Sequence, residues 1–150
     1  MEIAPVDEGD LPDLLALMRG YCNFYGATPS DEALLALART LRTDPEREGR
    51  QLIARDDAGR AVGFATVFWS WSTLSASRLG VMNDLYVVPG ARGTGVADEL
   101  IARCRALAAE HGAGTLAWQT AKDNARARAV YDRVGGVRAE WIDFHLPTTG

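Results

Sequence analysis

The feature that most limits the fold of this chain is a glycine-containing turn between a predicted buried strand and a predicted amphipathic helix. Residues 78–88 are rich in apolar side chains, which is typical of a central strand covered on both faces. Residues 95–111 repeat apolar side chains at helical spacing. The turn between them contains Gly93 and Gly95. A chain that passes from strand to helix in this way places the first helical amides beside the end of a sheet.

Such a turn predicts an anion site. Glycines let backbone N–H groups approach a bound group closely, and the unpaired donors and dipole of a helix N-terminus favour negative charge. The segment from Arg92 to Ala97 is therefore suited to a pyrophosphate, although a tight turn without a ligand is the alternative. No Lys-Ser or Lys-Thr follows the glycines, which excludes a P-loop. Residues 116–119 lack the acidic residue of a dinucleotide fingerprint, which disfavours NAD.

The rest of the chain predicts a mixed α/β domain of the α+β kind. Two amphipathic helices follow a short first strand, and Ser30 is suited to cap the second. From Gln51 the pattern changes to extended runs joined by hairpin chemistry. A later helix begins after Asp123. The predicted strands cover residues 2–6, the runs on both sides of 57–60, and residues 78–88, 115–121 and 137–146.

Composition predicts one cytoplasmic domain, residues 1–150. The 150 residues are 47% hydrophobic, enough to bury a core. No leader pattern or run of ~20 apolar residues is present. Cys22 and Cys104 lack the spacing of a metal site or a disulfide framework. The net charge of -4 and the pI near 5.1 disfavour nucleic acid and anionic membranes, and match a cationic substrate better.

Two segments resemble a known family. Arg92-Gly93-Thr94-Gly95-Val96-Ala97 resembles the Arg/Gln-x-x-Gly-x-Gly/Ala signature of the GNAT superfamily of acetyltransferases. The segment from Asn124 to Tyr131, followed by Gly135-Gly136, is similar to the family's later N-x-x-A-x-x-hydrophobic-Tyr helix. Residues 63–87 resemble the branch that contains diamine and thialysine acetyltransferases. The resemblance covers roughly residues 50–146.

The resemblance implies a GNAT-like fold: a mixed, mostly antiparallel central sheet of six or seven strands, about four helices, and a splayed strand pair that forms the cofactor slot. It implies direct acetyl transfer from acetyl-CoA to a primary amine of a small molecule, in a ternary complex and without a metal. The implied cofactor-binding residues are Arg92, Gly93, Thr94, Gly95, Val96 and Ala97 at the pyrophosphate, Leu85, Tyr86 and Val87 along the pantetheine arm, Asn124 at the cofactor arm, and Tyr131 beside the sulfur.

The family resemblance also suggests the catalytic groups. Tyr131 matches the tyrosine that gives a proton to the departing thiolate. Asn83 and Asp84 stand where the resembling branch has a Glu-Asp pair, and an amide cannot take a proton from an ammonium. Asp84 is therefore the expected base, acting through a β-bulge or a bridging water, with Glu140 or Asp31 as the alternatives.

The acceptor pocket is less determined by the sequence. Aromatic faces attract ammonium groups, so Phe24, Tyr25, Trp69 and Trp71 are candidates, with core packing as the alternative for at least two. Asn83, Asp84 and Glu140 complete the expected substrate-binding set. A non-catalytic acetyl-CoA-binding module and a protein N-acetyltransferase remain alternative functions. Exposed strand edges predict a homodimer.

Overall fold

The computed structural model describes residues 1–149. It divides into two compact units, Met1–Gln119 and the residues from Thr120 onward. Each unit is described separately below. In the described part of the chain, no helix has the length and apolar character that crossing a membrane requires.

The first unit opens with a short strand and two helices. Strand β1 spans Glu2–Pro5, helix α1 spans Leu11–Phe24 and helix α2 spans Asp31–Thr43. Pro12 lies in the first turn of α1, where its missing N–H has no intrahelical partner to lose. Ser30 caps α2 as predicted, because its Oγ accepts a hydrogen bond of 3.1 Å from the N–H of Ala33.

The sheet is mixed and mostly antiparallel, as expected. Its strands follow one another in chain order across the sheet, with antiparallel pairing from β1 to β4 and parallel pairing between β4 and β5. A short 3-10 turn and helix α3 connect the two parallel strands, which is the crossover such a pair needs. The ranges are β2 Gly49–Arg55, β3 Ala61–Ser72, β4 Ser77–Val87, the turn Pro89–Ala91, α3 Val96–Glu110 and β5 Ala113–Ala117.

The two faces of the sheet are covered by different helices. Phe64 of β3 is 1% exposed and packs with the apolar side chains of α1 and α2. Gly63, the preceding residue, points to the other face, where an added Cβ would lie 3.3 Å from Val96 and Leu100 of α3. We call these the α1 face and the α3 face. The α1-face core contains Val6, Leu11, Leu14, Leu17, Met18, Ala38, Ile53 and Phe64.

The second unit contains one helix. Helix α4 spans Ala125–Arg133, and the side chain of Asn124 caps it by accepting a hydrogen bond of 3.1 Å from the N–H of Ala127. The sequence placed the start of this helix correctly to within one residue, since Asp123 precedes the actual cap. After the helix, Arg138 donates to Asp132 at 2.6 Å.

The prediction of a last strand at residues 137–146, and with it a sheet of six or seven strands, is wrong. Among residues 1–149 the sheet has five strands, and four α-helices accompany it. A strand is stable only where a neighbour completes its ladder of hydrogen bonds, and this segment has none. The alternation of apolar and polar residues is also interrupted, because Trp141 and Ile142 are adjacent apolar residues. The large apolar side chains of the segment are 78–96% exposed.

Candidate functional site

The glycine turn has the geometry that anion binding needs. Gly93 has φ 78° and Gly95 has φ 90°, a left-handed conformation that glycine adopts without the steric cost of a Cβ. Gly95 is the N-cap of α3, so the amides of the first turn of α3 have no partner within the helix. Open space surrounds the Cα of Gly95, where an added Cβ would meet no heavy atom within 4 Å.

Two side chains hold this turn against the end of β4. The Nε of Arg92 donates to the carbonyl oxygen of Val87 at 3.0 Å, and the hydroxyl of Thr94 donates to the carbonyl oxygen of Ala91 at 2.7 Å. The turn is therefore braced by its own side chains. Arg92 also brings a positive charge to the same place.

The strand that leads into the turn has an open edge. The parallel pairing of β4 with β5 runs only from Arg78 opposite Ala113 to Val81 opposite Ala117, while β4 continues to Val87. The second half of β4 is thus paired on one side only, with β3. This is the splayed strand pair that the family resemblance implies.

Specific backbone groups face that open edge. The N–H of Val88 donates to the carbonyl oxygen of Val62 in β3, so Val88 directs its backbone toward β3. Alternate residues of a strand direct their backbone groups to opposite neighbours. Leu85 and Val87 therefore direct theirs to the unpaired side, and the bond from Arg92 to Val87 agrees with this. Tyr86 directs its backbone to β3, and its ring packs so closely on α1 that a Cβ on Gly20 would lie 2.6 Å from its hydroxyl.

A β-bulge interrupts β4 directly before this edge. Thr66 and Val67 are consecutive in β3, yet their partners in β4 are Asp84 and Met82. Asn83 is thus an extra residue that opposes nothing in β3. Because of it, Met82 lies on the α3 face with Val67, whereas Asp84 lies on the α1 face with Thr66. The irregularity that the sequence argument required for Asp84 is present.

The carboxylate of Asp84 lies among polar groups at the end of the α1-face core. Asn83 Nδ2 donates to Asp84 Oδ1 at 3.0 Å. The hydroxyl of Tyr21 lies 3.4 Å from the backbone oxygen of Asn83. Burial, followed by the charge of Asp84 and a hydrogen bond to its side chain, raises the pKa of Tyr21 above its ordinary value of 10.0. Thr66, opposite Asp84, is fully buried and accepts from Gln51.

The expected pocket aromatics separate into two groups. Phe24 and Tyr25 at the end of α1 are 59% and 52% exposed, and their ring centroids lie 5.0 Å apart. Trp69 lies opposite Gly80 on the α3 face, stacks on His111 at 4.0 Å and donates its indole N–H to the oxygen of Pro45. The structure thus brings Tyr25, but not Trp69, to the α1 face on which Asp84 lies.

The alternative bases differ in their surroundings. Asp31, at the start of α2, forms an ion pair with Arg19 of α1. Glu140 lies in the second unit, as do Asn124 and Tyr131. Tyr131 is a half-buried residue of α4, in the seventh position of that helix, and Asn124 is engaged as its cap.

Tyr21 was missed by sequence reasoning. The signal was available, because Tyr21 and Tyr25 stand four residues apart in α1 and so share one face of that helix.

The two cysteines play no visible part. Both are buried, and burial raises the pKa of the Cys104 thiol to about 12, which makes it unreactive near neutral pH.

The residues of the first unit fit an elongated ligand with an anionic group at one end. The turn offers free amides to the anion. The open edge of β4 offers backbone donors and acceptors with which an extended arm can pair, as an added strand would. This arrangement is what coenzyme A requires.

Comparison with known proteins agrees with this geometry. An uncharacterized N-acetyltransferase of Bacillus subtilis strain 168, YhfO, is 27% identical over 135 residues, which cover 90% of this chain and 89% of that protein. An uncharacterized N-acetyltransferase of Archaeoglobus fulgidus is 28% identical over 140 residues, covering 87% and 89%.

Solved structures share the fold. The crystal structure of a probable acetyltransferase superposes with a TM-score of 0.84 at 29% identity, covering 100% of this chain and 99% of that one. Aminoglycoside N-acetyltransferase AAC(6')-Iy in complex with CoA superposes with a TM-score of 0.86, at 23% identity and with 98% and 94% coverage. The model of the acetyltransferase (GNAT) family matches residues 14–136. The chain therefore belongs to the acetyltransferase (GNAT) family, and it is an N-acetyltransferase that uses acetyl-CoA.

Proposed function

We propose that this protein transfers the acetyl group of acetyl-CoA directly to a primary amine of a small molecule, with Asp84 as the base. The observation that carries the proposal is the bulge at Asn83, which turns Asp84 out of the α3 face beside the open edge of β4. Acetyl-CoA supplies an activated acyl thioester. An alkyl amine has a reference pKa of about 10.4, so near pH 7 it needs a group that accepts its proton. Asp84 accepts that proton directly or through a water.

The other residues of the site have distinct tasks in this proposal. The amides from Gly93 to Ala97 hold the pyrophosphate, with Arg92 supplying positive charge beside them, and the backbone groups of Leu85 and Val87 align the pantetheine arm. A strand N–H at the same edge donates to the carbonyl oxygen as negative charge develops there. The phenol of Tyr131 donates a proton to the departing sulfur.

Charge and aromatic surface favour a compact cationic acceptor. Phe24 and Tyr25 expose their rings at the end of α1, and aromatic faces attract ammonium groups. Asp84 supplies negative charge on the same face of the sheet. Membership of the diamine and thialysine branch remains part of the proposal, and Asn83 in place of an acid leaves one negative charge fewer for a polyamine.

Two alternative functions remain distinguishable. A module that binds acetyl-CoA without catalysis would keep the loop and the open edge but would not need an ionised group at the bulge. A protein N-acetyltransferase would release thiol only with peptide acceptors. A thiol-release assay with acetyl-CoA against a panel of small amines and peptides separates these functions from the proposed one.

The decisive test of the base is the pH dependence of Asp84→Asn. We expect kcat/KM to fall near neutral pH. It should recover toward the wild-type value as the pH approaches the pKa of the acceptor amine, because unprotonated acceptor then forms without help. Asp31→Asn and Glu140→Gln serve as matched controls that each remove one alternative carboxylate. A profile of Asp84→Asn that overlays the wild type, in a folded variant, would transfer the role to whichever control loses activity.

The remaining expectations belong to the same proposal. The family match extends over residues 14–136 and so includes both units, which supports one functional domain. The exposed apolar side chains between residues 141 and 146 support a homodimer, since large exposed apolar patches mark interfaces. A cytoplasmic location is proposed because the two cysteines lack the spacing of a disulfide framework.

A further inference from the structure

The hydroxyl of Tyr21 lies at the bulge that carries Asp84. It approaches the backbone oxygen of Asn83 to 3.4 Å, and the side chain of Asn83 donates to Asp84 at 3.0 Å. The phenol donates its one proton to the Asn83 carbonyl, and burial together with the neighbouring Asp84 carboxylate raises the pKa of Tyr21. Helix α1 and the irregular part of β4 are thus joined through polar atoms at this point.

The ring of Tyr21 is held in place by packing. Its centroid lies 5.9 Å from that of Phe64 and 5.0 Å from that of Tyr25, both in edge-on arrangements that aromatic pairs prefer. Phe64 is a fully buried member of the α1-face core. The hydroxyl is therefore delivered to the bulge by a rigid element rather than by a mobile side chain, which is the usual way that a reactive group is oriented.

We propose that Tyr21 is a positioning residue, whose hydroxyl holds the Asn83 bulge through the hydrogen bond to its backbone oxygen and so orients the Asp84 carboxylate. The inference rests on the proposed function, in which Asp84 accepts the proton of the amine. The two sequence segments that carry the family resemblance do not include Tyr21, which precedes both of them.

The proposal predicts a specific split between kcat and KM. A carboxylate that is no longer held at the reacting amine lowers kcat, whereas the surfaces that bind the acceptor are unchanged.

A double-mutant cycle with Asp84→Asn tests the coupling. In the wild-type background we expect Tyr21→Phe to lower kcat about 10- to 100-fold, with little change in KM for the amine. In the Asp84→Asn background the same substitution should change kcat less than about twofold, since Tyr21 then has no carboxylate to orient. Thr43→Val, which removes a hydroxyl that donates to Arg39 within α2, is a matched control with wild-type kcat.

The outcomes separate the two hypotheses. If Asp84→Asn is slow and Tyr21→Phe causes the same loss in both backgrounds, Tyr21 acts independently of Asp84 and the positioning role is overturned. If Asp84→Asn keeps the wild-type pH profile, the proposed base fails, and the inference about Tyr21 fails with it. Thermal unfolding and acetyl-CoA calorimetry of each variant show whether a loss of folding or of cofactor binding accounts for the change, and either result would also overturn the positioning role.

Discussion

A negative charge at Gly95 should weaken the binding of acetyl-CoA, and the structure allows that effect to be isolated. Any side chain at Gly95 adopts φ 90°, which costs most residues roughly 1–2 kcal/mol, although Asn and Asp tolerate this region best. An added Cβ meets nothing within 4 Å, so no steric term accompanies it. Gly95→Asn and Gly95→Asp therefore share shape and backbone cost, and differ in one charge.

That charge sets the expected magnitude. Two unit charges about 4 Å apart repel by about 1 kcal/mol in bulk water and about 4 kcal/mol at the effective dielectric of a protein surface. Gly93 and Thr94 are exposed to solvent, which favours the lower part of this range. We expect Gly95→Asp to bind acetyl-CoA about 10-fold more weakly than Gly95→Asn, a difference of about 1.4 kcal/mol. Both variants have the same backbone cost, and a negative charge at the N-terminus of α3 favours the helix, so a lower stability of Gly95→Asp than of Gly95→Asn is not the cause.

Isothermal titration calorimetry at low and high salt measures the effect, because screening should reduce the ratio of the two affinities as ionic strength rises. Gly112 provides matched controls. It has φ 80°, open space around its Cα, and a position just after the other end of α3. Gly112→Asn and Gly112→Asp should bind acetyl-CoA equally well. Equal affinities for the two Gly95 variants would refute the assignment of the pyrophosphate to this turn.

Two further predictions concern the second unit. Tyr131→Phe should lower kcat by about 10²- to 10⁴-fold, the usual contribution of a positioned acid, and calorimetry should show an unchanged affinity for acetyl-CoA. If the variant keeps the turnover of the wild type, another group supplies the proton. Light scattering of the wild type should give a mass twice the 16.2 kDa of one chain. Phe144 is 91% exposed, and Phe144→Asp, which replaces this apolar side chain by a charged one, should shift the mass toward that of the monomer. A monomeric wild type would contradict the proposed dimer.

Local rules accounted for most of the fold. The Asp57–Arg60 hairpin turn, the cap at Ser30 and the amphipathic helix after Gly95 depend on nearest neighbours and on periodicity, and each appears where the sequence predicts it. The glycine turn was also readable, since positive φ at Gly93 and Gly95 is what glycine permits.

What the sequence could not supply depends on pairing between distant strands. The segment 137–146 has strand-like composition, yet the described residues there form no ladder, because composition does not provide a partner. The end of the β4–β5 pairing at Val81 is likewise a property of two strands together. Tyr21 reaches the bulge at Asn83 because α1 crosses the sheet at Tyr86, and no local pattern in either segment predicts that crossing.

The bulge at Asn83 shows why register matters more for this site than residue type. In a regular strand Met82 and Asp84 would point to the same face, and Asp84 would lie under α3 among apolar side chains such as Leu100, where an unpaired carboxylate is costly. One extra residue transfers Asp84 to the α1 face and leaves Met82 buried under α3. The same stretch of β4 has no β5 partner. The rotation that moves the carboxylate to the α1 face and the open edge of β4 therefore lie at neighbouring positions of the same strand.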